Sequence, residues 1–147
     1  MQLDAPCPAG TLFGFVDDLS AYPGWLEMVR RADRVPAHPD DAGPAWAVEL
    51  RGRLGPLTRS KRLRMVRTAW EAGRSARFER AEHDGRSHSA WVLEVEVEPL
   101  DDHRSRLDVH LHYGGSLWAP VLDRMLQDEI RRSTPRLLAL VSPDPAR

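Results

Sequence analysis

A chain of 147 residues with 21 basic and 22 acidic side chains and a single cysteine, Cys7, is sized for one domain, 1–147, around one core. The balanced charge excludes a global field drawing the molecule to nucleic acid or an anionic membrane, and the cysteine count excludes an internal disulfide or a multi-cysteine metal site. The start of the chain carries Asp4 and prolines rather than the basic and apolar runs of a signal peptide, and no stretch reaches the roughly 18 to 20 apolar residues of a membrane span. A soluble protein of the reducing cytoplasm, as a monomer or a homodimer, is the expectation.

Leu12, Phe13, Val16 and Leu19 at helical spacing predict a first short helix over Pro8 to Leu19. Pro23 suits an early helical position, and Trp25, Leu26, Met28 and Val29 supply the apolar face of a second short helix that stops at Arg30-Arg31. Prolines, aspartates and Gly43 make Pro36 to Pro44 an exposed loop. From Trp46 the period becomes two: Trp46, Val48 and Leu50 alternate with Ala47, Glu49 and Arg51, as a half-buried strand requires. After Gly55-Pro56, the next strand sets Leu57, Leu63 and Met65 against Arg62 and Arg64, and it ends in the loop from Trp70 to Gly73.

A strand beginning near Ser75 reaches Asp84-Gly85, the dipeptide of two-residue hairpins. The strand that follows, Ser87 to Glu98, has Trp91, Leu93, Val95 and Val97 on one side and glutamates on the other. Beyond the turn at Asp101 to His103, Leu107, Val109, Leu111 and Tyr113 repeat the alternation up to Gly114-Gly115. A long amphipathic helix closes the chain, with Trp118, Val121, Leu122, Met125, Leu126, Ile130, Leu137 and Val141 on one stripe and Pro135 expected to kink it.

A tight turn at Asp84-Gly85 pairs His83 with Arg86 and sets Phe78 opposite Trp91 and Arg80 opposite Ser89. Matching apolar faces across the other strands yields one inner row of Trp46, Met65, Phe78, Trp91 and Tyr113, with Arg80, Lys61 and Glu82 in the adjacent rows. Such a row reads either as a solid core or as the wall of a small-molecule pocket.

Short helices, a meander of strands and a closing amphipathic helix resemble the START-like, or SRPBCC, superfamily that includes the birch pollen allergen and polyketide cyclase/dehydrase proteins. The residues carrying the resemblance are Phe13 to Leu19, Tyr22-Pro23-Gly24-Trp25, Trp91-Val92-Leu93, Leu107 through Tyr113, and Trp118 to Leu122. It covers nearly the whole chain and implies an α+β helix-grip fold: a curved antiparallel sheet of about six to seven strands around a long C-terminal helix, with two short N-terminal helices. It also implies a first strand ahead of the first helix. Met1 to Cys7 leaves room only for a short one, unless the natural chain begins further upstream.

The resemblance implies binding of a small hydrophobic or aromatic molecule, lipid- or polyketide-like, in an internal cavity, without a catalytic motif or a cofactor. The expected wall is Trp25, Trp46, Met65, Phe78, Trp91, Tyr113, Trp118, Leu122 and Met125, with Arg80 and Ser89 as polar groups. A cyclase, aromatase or dehydratase in the same cavity would draw on Arg80, Glu82 and Tyr113, although Arg80 and Glu82 equally suit a structural ion pair. His110 and His112 share a strand face and could ligate a metal, but Glu94 across from His110 favours a surface ion pair, and no metal site is expected. His83 and His88 flank a turn as solvated groups. The basic run Arg51, Arg53, Arg59, Lys61, Arg62, Arg64 and Arg67 offers an interaction surface, read more simply as a solvated face, and no nucleic-acid partner is expected.

Overall fold

The computed structural model describes residues 1–51, 60–114 and 119–142. Among them, seven strands form one antiparallel sheet: β1 (Gln2–Ala5), β2 (Val29–Val35), β3 (Ala45–Leu50), β4 (Lys61–Glu71), β5 (Ser75–Arg80), β6 (Ala90–Pro99) and β7 (Ser105–Gly114). The spatial order is β1-β7-β6-β5-β4-β3-β2, so the short first strand docks beside the last. Between β1 and β2 run helix α1 (Ala9–Phe13) and a 3-10 helix (Leu19–Gly24), and α2 (Ala119–Val141) follows β7. The chain has the α+β helix-grip fold.

Alternation decides which side of each strand faces inward. In β6 and β7, Trp91, Leu93, Val95, Val97, Leu107, Val109, Leu111 and Tyr113 are buried, while Glu94, Glu96, His110 and His112 face solvent. Leu122, Leu126, Ile130, Ser133, Leu137 and Val141 form the buried stripe of α2, which lies against β7 and β1; Val121 is exposed. Two side chains fix the docking of α2. Asp123 accepts from the Tyr113 N–H at 2.8 Å, and Gln127 donates to the Leu111 carbonyl at 2.9 Å. The helix runs through Pro135, which has no N–H to give to the carbonyl of Arg131. The Thr134 hydroxyl donates to that carbonyl instead, at 2.8 Å.

Three expectations need correction. The segment after the 3-10 helix does not continue as a second helix through Val29: Trp25 and Leu26 both donate to Tyr22 O, and the chain then enters β2. That strand lies at the sheet edge and reads Val-Arg-Arg-Ala-Asp-Arg-Val, with a bulge between Val29 and Arg31. Charges and a bulge are what protect an exposed edge from pairing further, and they also erase the period-two signal. The first helix stops at Phe13 rather than Leu19, with Gly14 as its C-cap.

The third correction concerns register. Trp46 opposite Met65, Trp91 opposite Tyr113 and Glu94 opposite His110 are found as expected. However, Phe78 lies opposite Leu93, not Trp91, and Met65 lies opposite Arg80, not Phe78. Asp84-Gly85 is not a two-residue hairpin, since β5 ends at Arg80 and β6 begins at Ala90. Only Gly85 takes positive φ, at 73°, and the Asp84 carboxylate holds the Arg86 N–H at 3.0 Å in a local turn within a longer loop. The slip is two residues, so each side chain keeps its face and only the row changes. Arg80 thereby takes the place expected for Phe78 in the inner row.

Ile130 is fully buried at the middle of the α2 stripe. Ile130→Ala is expected to lower stability by about 2–5 kcal/mol, read as a lower urea midpoint with an unchanged denaturant slope.

Candidate functional site

The expected aromatic wall divides into a solid part and an open part. Trp25, Trp46 and Phe78 are fully buried. The Trp46 indole donates to Asp18 Oδ1 at 3.1 Å and Ser20 Oγ at 3.0 Å, and its ring meets Phe78 edge-on at 5.6 Å. Trp25 donates to the Phe15 carbonyl at 3.1 Å and tilts against Tyr22 at 5.1 Å. The Tyr22 hydroxyl donates to the Val16 carbonyl at 2.7 Å, and burial, helped by Asp17 and Asp18, pushes its phenol well above its ordinary range. These rings are satisfied core groups.

Beyond them the concave face leaves a small, partly open pocket of about 40 Å³ with apolar walls throughout. The sheet contributes Val48, Leu50, Leu63, Met65, Trp91, Leu93 and Leu111, and the chain that crosses the sheet contributes Leu19, Tyr22, Leu26, Met28, Val29 and Ala32. Of the residues expected at the wall, Met65 and Trp91 line this space. Leu122 is buried in the α2 stripe, Met125 is half-buried on α2, and neither belongs to the lining. Trp118 lies outside the described residues. The Leu26–Ala32 part of the wall is hidden from sequence reading because β2 is; its signal is the apolar content of Trp25, Leu26, Met28 and Val29, which fits the face of a short helix equally well.

Polar groups gather beside the cavity. Trp91 is buried with its indole N–H unpartnered, and it packs on Tyr113 with ring centres 5.0 Å apart. The Tyr113 hydroxyl donates to Ser89 Oγ at 3.1 Å. Arg80, with 9% of its side chain exposed, donates to Glu82 Oε1 at 3.1 Å and to the Ser89 carbonyl at 3.4 Å. Glu82 Oε1 also accepts the Arg64 N–H at 2.9 Å, where β4 and β5 part. Arg80, Glu82, Ser89 and Tyr113 therefore form one connected set at the end of the sheet, and none of them lines the cavity.

On the outer face the loop before β3 is pinned to β4. Arg64 grips Asp41 with two hydrogen bonds, 2.7 and 3.1 Å, and the Asp41 side chain is 1% exposed. Asp41 also accepts from His83 at 2.8 Å and from the His38 N–H at 2.7 Å. Arg64, then His83 and the His38 N–H, hold the Asp41 carboxyl far below the usual carboxylate range. Gly43 sits so close to the Arg67 carbonyl that a Cβ would approach it to 2.5 Å.

The basic run is largely occupied. Arg51 donates to the Glu27 carbonyl, and Arg67 donates to the Asp17 carbonyl and lies over Trp70 at 4.8 Å. Arg62 stands opposite Glu49, beside the Arg31–Asp33 pair, in an outer groove of about 410 Å³ whose charges oppose one another. Arg53 and Arg59 lie outside the described residues. Of the strand histidines, His110 pairs with Asp108 at 3.2 Å and His112 with Asp123 at 2.8 Å, while Glu94 pairs with Arg77.

Residues 1–141 match the family described as polyketide cyclase/dehydrase and lipid transport. The chain belongs to that family. Among solved structures, a START superfamily protein from Mycobacterium smegmatis is 12% identical over 96% of this chain and 94% of that one, with a TM-score of 0.71. A protein from Deinococcus radiodurans is 20% identical over 95% and 96%, with a TM-score of 0.59. The Zhui aromatase/cyclase from a Streptomyces species is 13% identical over 96% and 88%, with a TM-score of 0.58. At these identities the likeness is one of fold. No curated protein matches the chain. No helix among the described residues is long and apolar enough to cross a membrane.

Asp41→Ala leaves the Arg64 guanidinium only the Pro36 and Ala81 carbonyls and is expected to cost about 2–3 kcal/mol near neutral pH, against about 0.5 kcal/mol or less for the exposed neighbour Asp40→Ala. A carboxyl whose folded value is lowered stabilises the fold fully above the unfolded range near pH 4, and the gain is lost as pH falls toward the folded value. Urea midpoints of wild type and Asp41→Ala are therefore expected to converge in acid.

Proposed function

We propose that this domain binds a small, largely apolar molecule carrying at least one acceptor oxygen, in the cavity between the sheet and the Leu19–Ala32 segment. The observation that carries this reading is the apolar lining, one residue of which, Trp91, buries its indole N–H without a protein partner, so that the N–H meets a guest once the space widens. A buried donor left unpaired costs about 1–3 kcal/mol, and a carbonyl, ether or hydroxyl oxygen of a ligand relieves that cost. The family's description, with lipid transport and polyketide chemistry in it, supports an apolar cargo.

The space must widen to accept such a guest, since a dry engineered cavity that takes benzene measures about 150 Å³. Met28 and Met65 stand in the wall, and unbranched thioether side chains are the ones that repack most readily. Binding without turnover fits better than cyclisation or dehydration, which need a proton donor or an oxyanion partner at the ligand. Arg80 donates to Glu82 and to the Ser89 carbonyl, Glu82 Oε1 also accepts the Arg64 N–H, the Tyr113 hydroxyl is given to Ser89, and Arg80, Glu82 and Tyr113 all stand outside the cavity lining. The buried free thiol of Cys7 suits a reducing cytoplasm, and the cavity walls come from one chain, so a monomer or a homodimer would serve.

Titration with 2-naphthol and with naphthalene, followed by tryptophan fluorescence, tests the reading. Wild type is expected to saturate with both. Trp91→Phe keeps the apolar wall but loses the donor, so 2-naphthol is expected to weaken by roughly fivefold with naphthalene unchanged. Ala32→Leu fills the cavity and is expected to remove both. Absence of saturable binding by the folded wild type, or full binding by Ala32→Leu, would sink the proposal.

A further inference from the structure

Two loops far apart in the sequence meet on the outer face of the sheet, the one before β3 and the one between β5 and β6. They bring the imidazoles of His38 and His83 face to face, with ring centres 3.8 Å apart and planes 10° from parallel. Asp40 stands beside them. One donor atom from each of His38, Asp40 and His83 lies within 4.8 Å of the other two, the one such trio among the described residues.

We propose that His38, Asp40 and His83 bind a divalent transition-metal ion of the zinc class. Two imidazoles and one carboxylate are a donor set that zinc accepts, and three protein ligands leave further positions to water. The groups behind the ligands are built for this role. Nε2 of His83 lies 2.8 Å from Asp41, and a carboxylate behind an imidazole fixes the tautomer, here turning the Nδ1 lone pair outward. Asp41 cannot swing away, because Arg64 grips both its oxygens and the His38 N–H donates to it at 2.7 Å.

On His38, the Nδ1 lone pair accepts the Asp40 N–H at 3.1 Å, so that ring already presents an unprotonated nitrogen, and metal binding through Nδ1 gives up this one local bond. Zinc bonds of about 2.0–2.2 Å set tetrahedral donors roughly 3.4 Å apart, so the trio has to close by up to about 1.4 Å, and the stacked rings, whose lone pairs lie in parallel planes, have to turn toward each other. His38 and Asp40, exposed on their loop, supply that movement by side-chain rotation while His83 stays on Asp41. A bound ion would clip the loop before β3 to the loop that carries Glu82 and Ser89, and so brace the polar set next to Trp91.

Isothermal titration of the tag-free full chain with zinc alone tests the site, with thermal unfolding as a second readout. One ion per chain and a raised Tm are expected for wild type, and loss of both in His38→Ala/His83→Ala. His110→Ala/His112→Ala is expected to bind as wild type does. The proposal is overturned by a wild type that takes no zinc at 100-fold excess over protein, by undiminished binding in the His38/His83 double variant, or by loss of binding in the His110/His112 variant alone.

Discussion

The tie between the Trp46 indole and the turn ahead of it is the contact on which the rest of the concave face depends. Asp18 both caps the 3-10 helix, through the Ser20 N–H at 2.8 Å, and accepts from Trp46, while the Ser20 hydroxyl accepts from the same indole. One buried N–H thus fixes the crossing segment onto β3. Its ring, edge-on to Phe78, makes this end of the core solid. Van der Waals attraction alone would hold the segment without fixing its position; a hydrogen bond in a low-dielectric interior supplies direction. Open space is then left where the aromatic side chains give way to Val48, Leu63 and Leu93.

Division of labour over the sheet follows from this. The long helix covers β7 and β1, and the 3-10 helix with the chain around it covers the strands from β2 inward. No described residue of α2 lines the cavity, although helix residues Leu122 and Met125 are natural candidates for a wall in a helix-grip fold. The roof of the cavity is instead the short, irregular Leu19–Ala32 stretch. A roof held by a few directed bonds, with Met28 in it, can adjust locally, whereas moving α2 would break the buried stripe from Leu122 to Val141.

Strand pairing was legible wherever one face is buried and the other charged, because a period of two then leaves a single choice of face. The β3–β4 and β6–β7 registers follow from Trp46, Met65, Trp91 and Tyr113 for that reason. At β5 the sequence offers Asp84-Gly85, and the expected tight turn loses to a competing set of bonds: Arg80 and Glu82 with each other, and Glu82 with the Arg64 N–H. A two-residue slip leaves the faces correct and moves Arg80 into the inner row, a change no alternation can reveal. β2 was hidden by the edge charges that protect it. Asp41 and His38 sit in a stretch whose prolines and aspartates read as solvent-exposed loop, and only the fold brings Arg64 and His83 to them.

The smallness of the cavity bears on its physics. An apolar space of about 40 Å³ has room for a few waters by volume, but its lining offers none of the two to four polar partners that hold one in place. The Trp91 N–H is buried behind this lining without a protein partner, and an unpaired buried donor is a cost to the folded chain. A guest that fills the space and accepts that bond gains from both, and anything that binds only the folded state raises its apparent stability. Under the proposed function, ligand occupancy and fold stability are linked through one indole, and a polar guest without an apolar body would recover the hydrogen bond while leaving the walls unfilled.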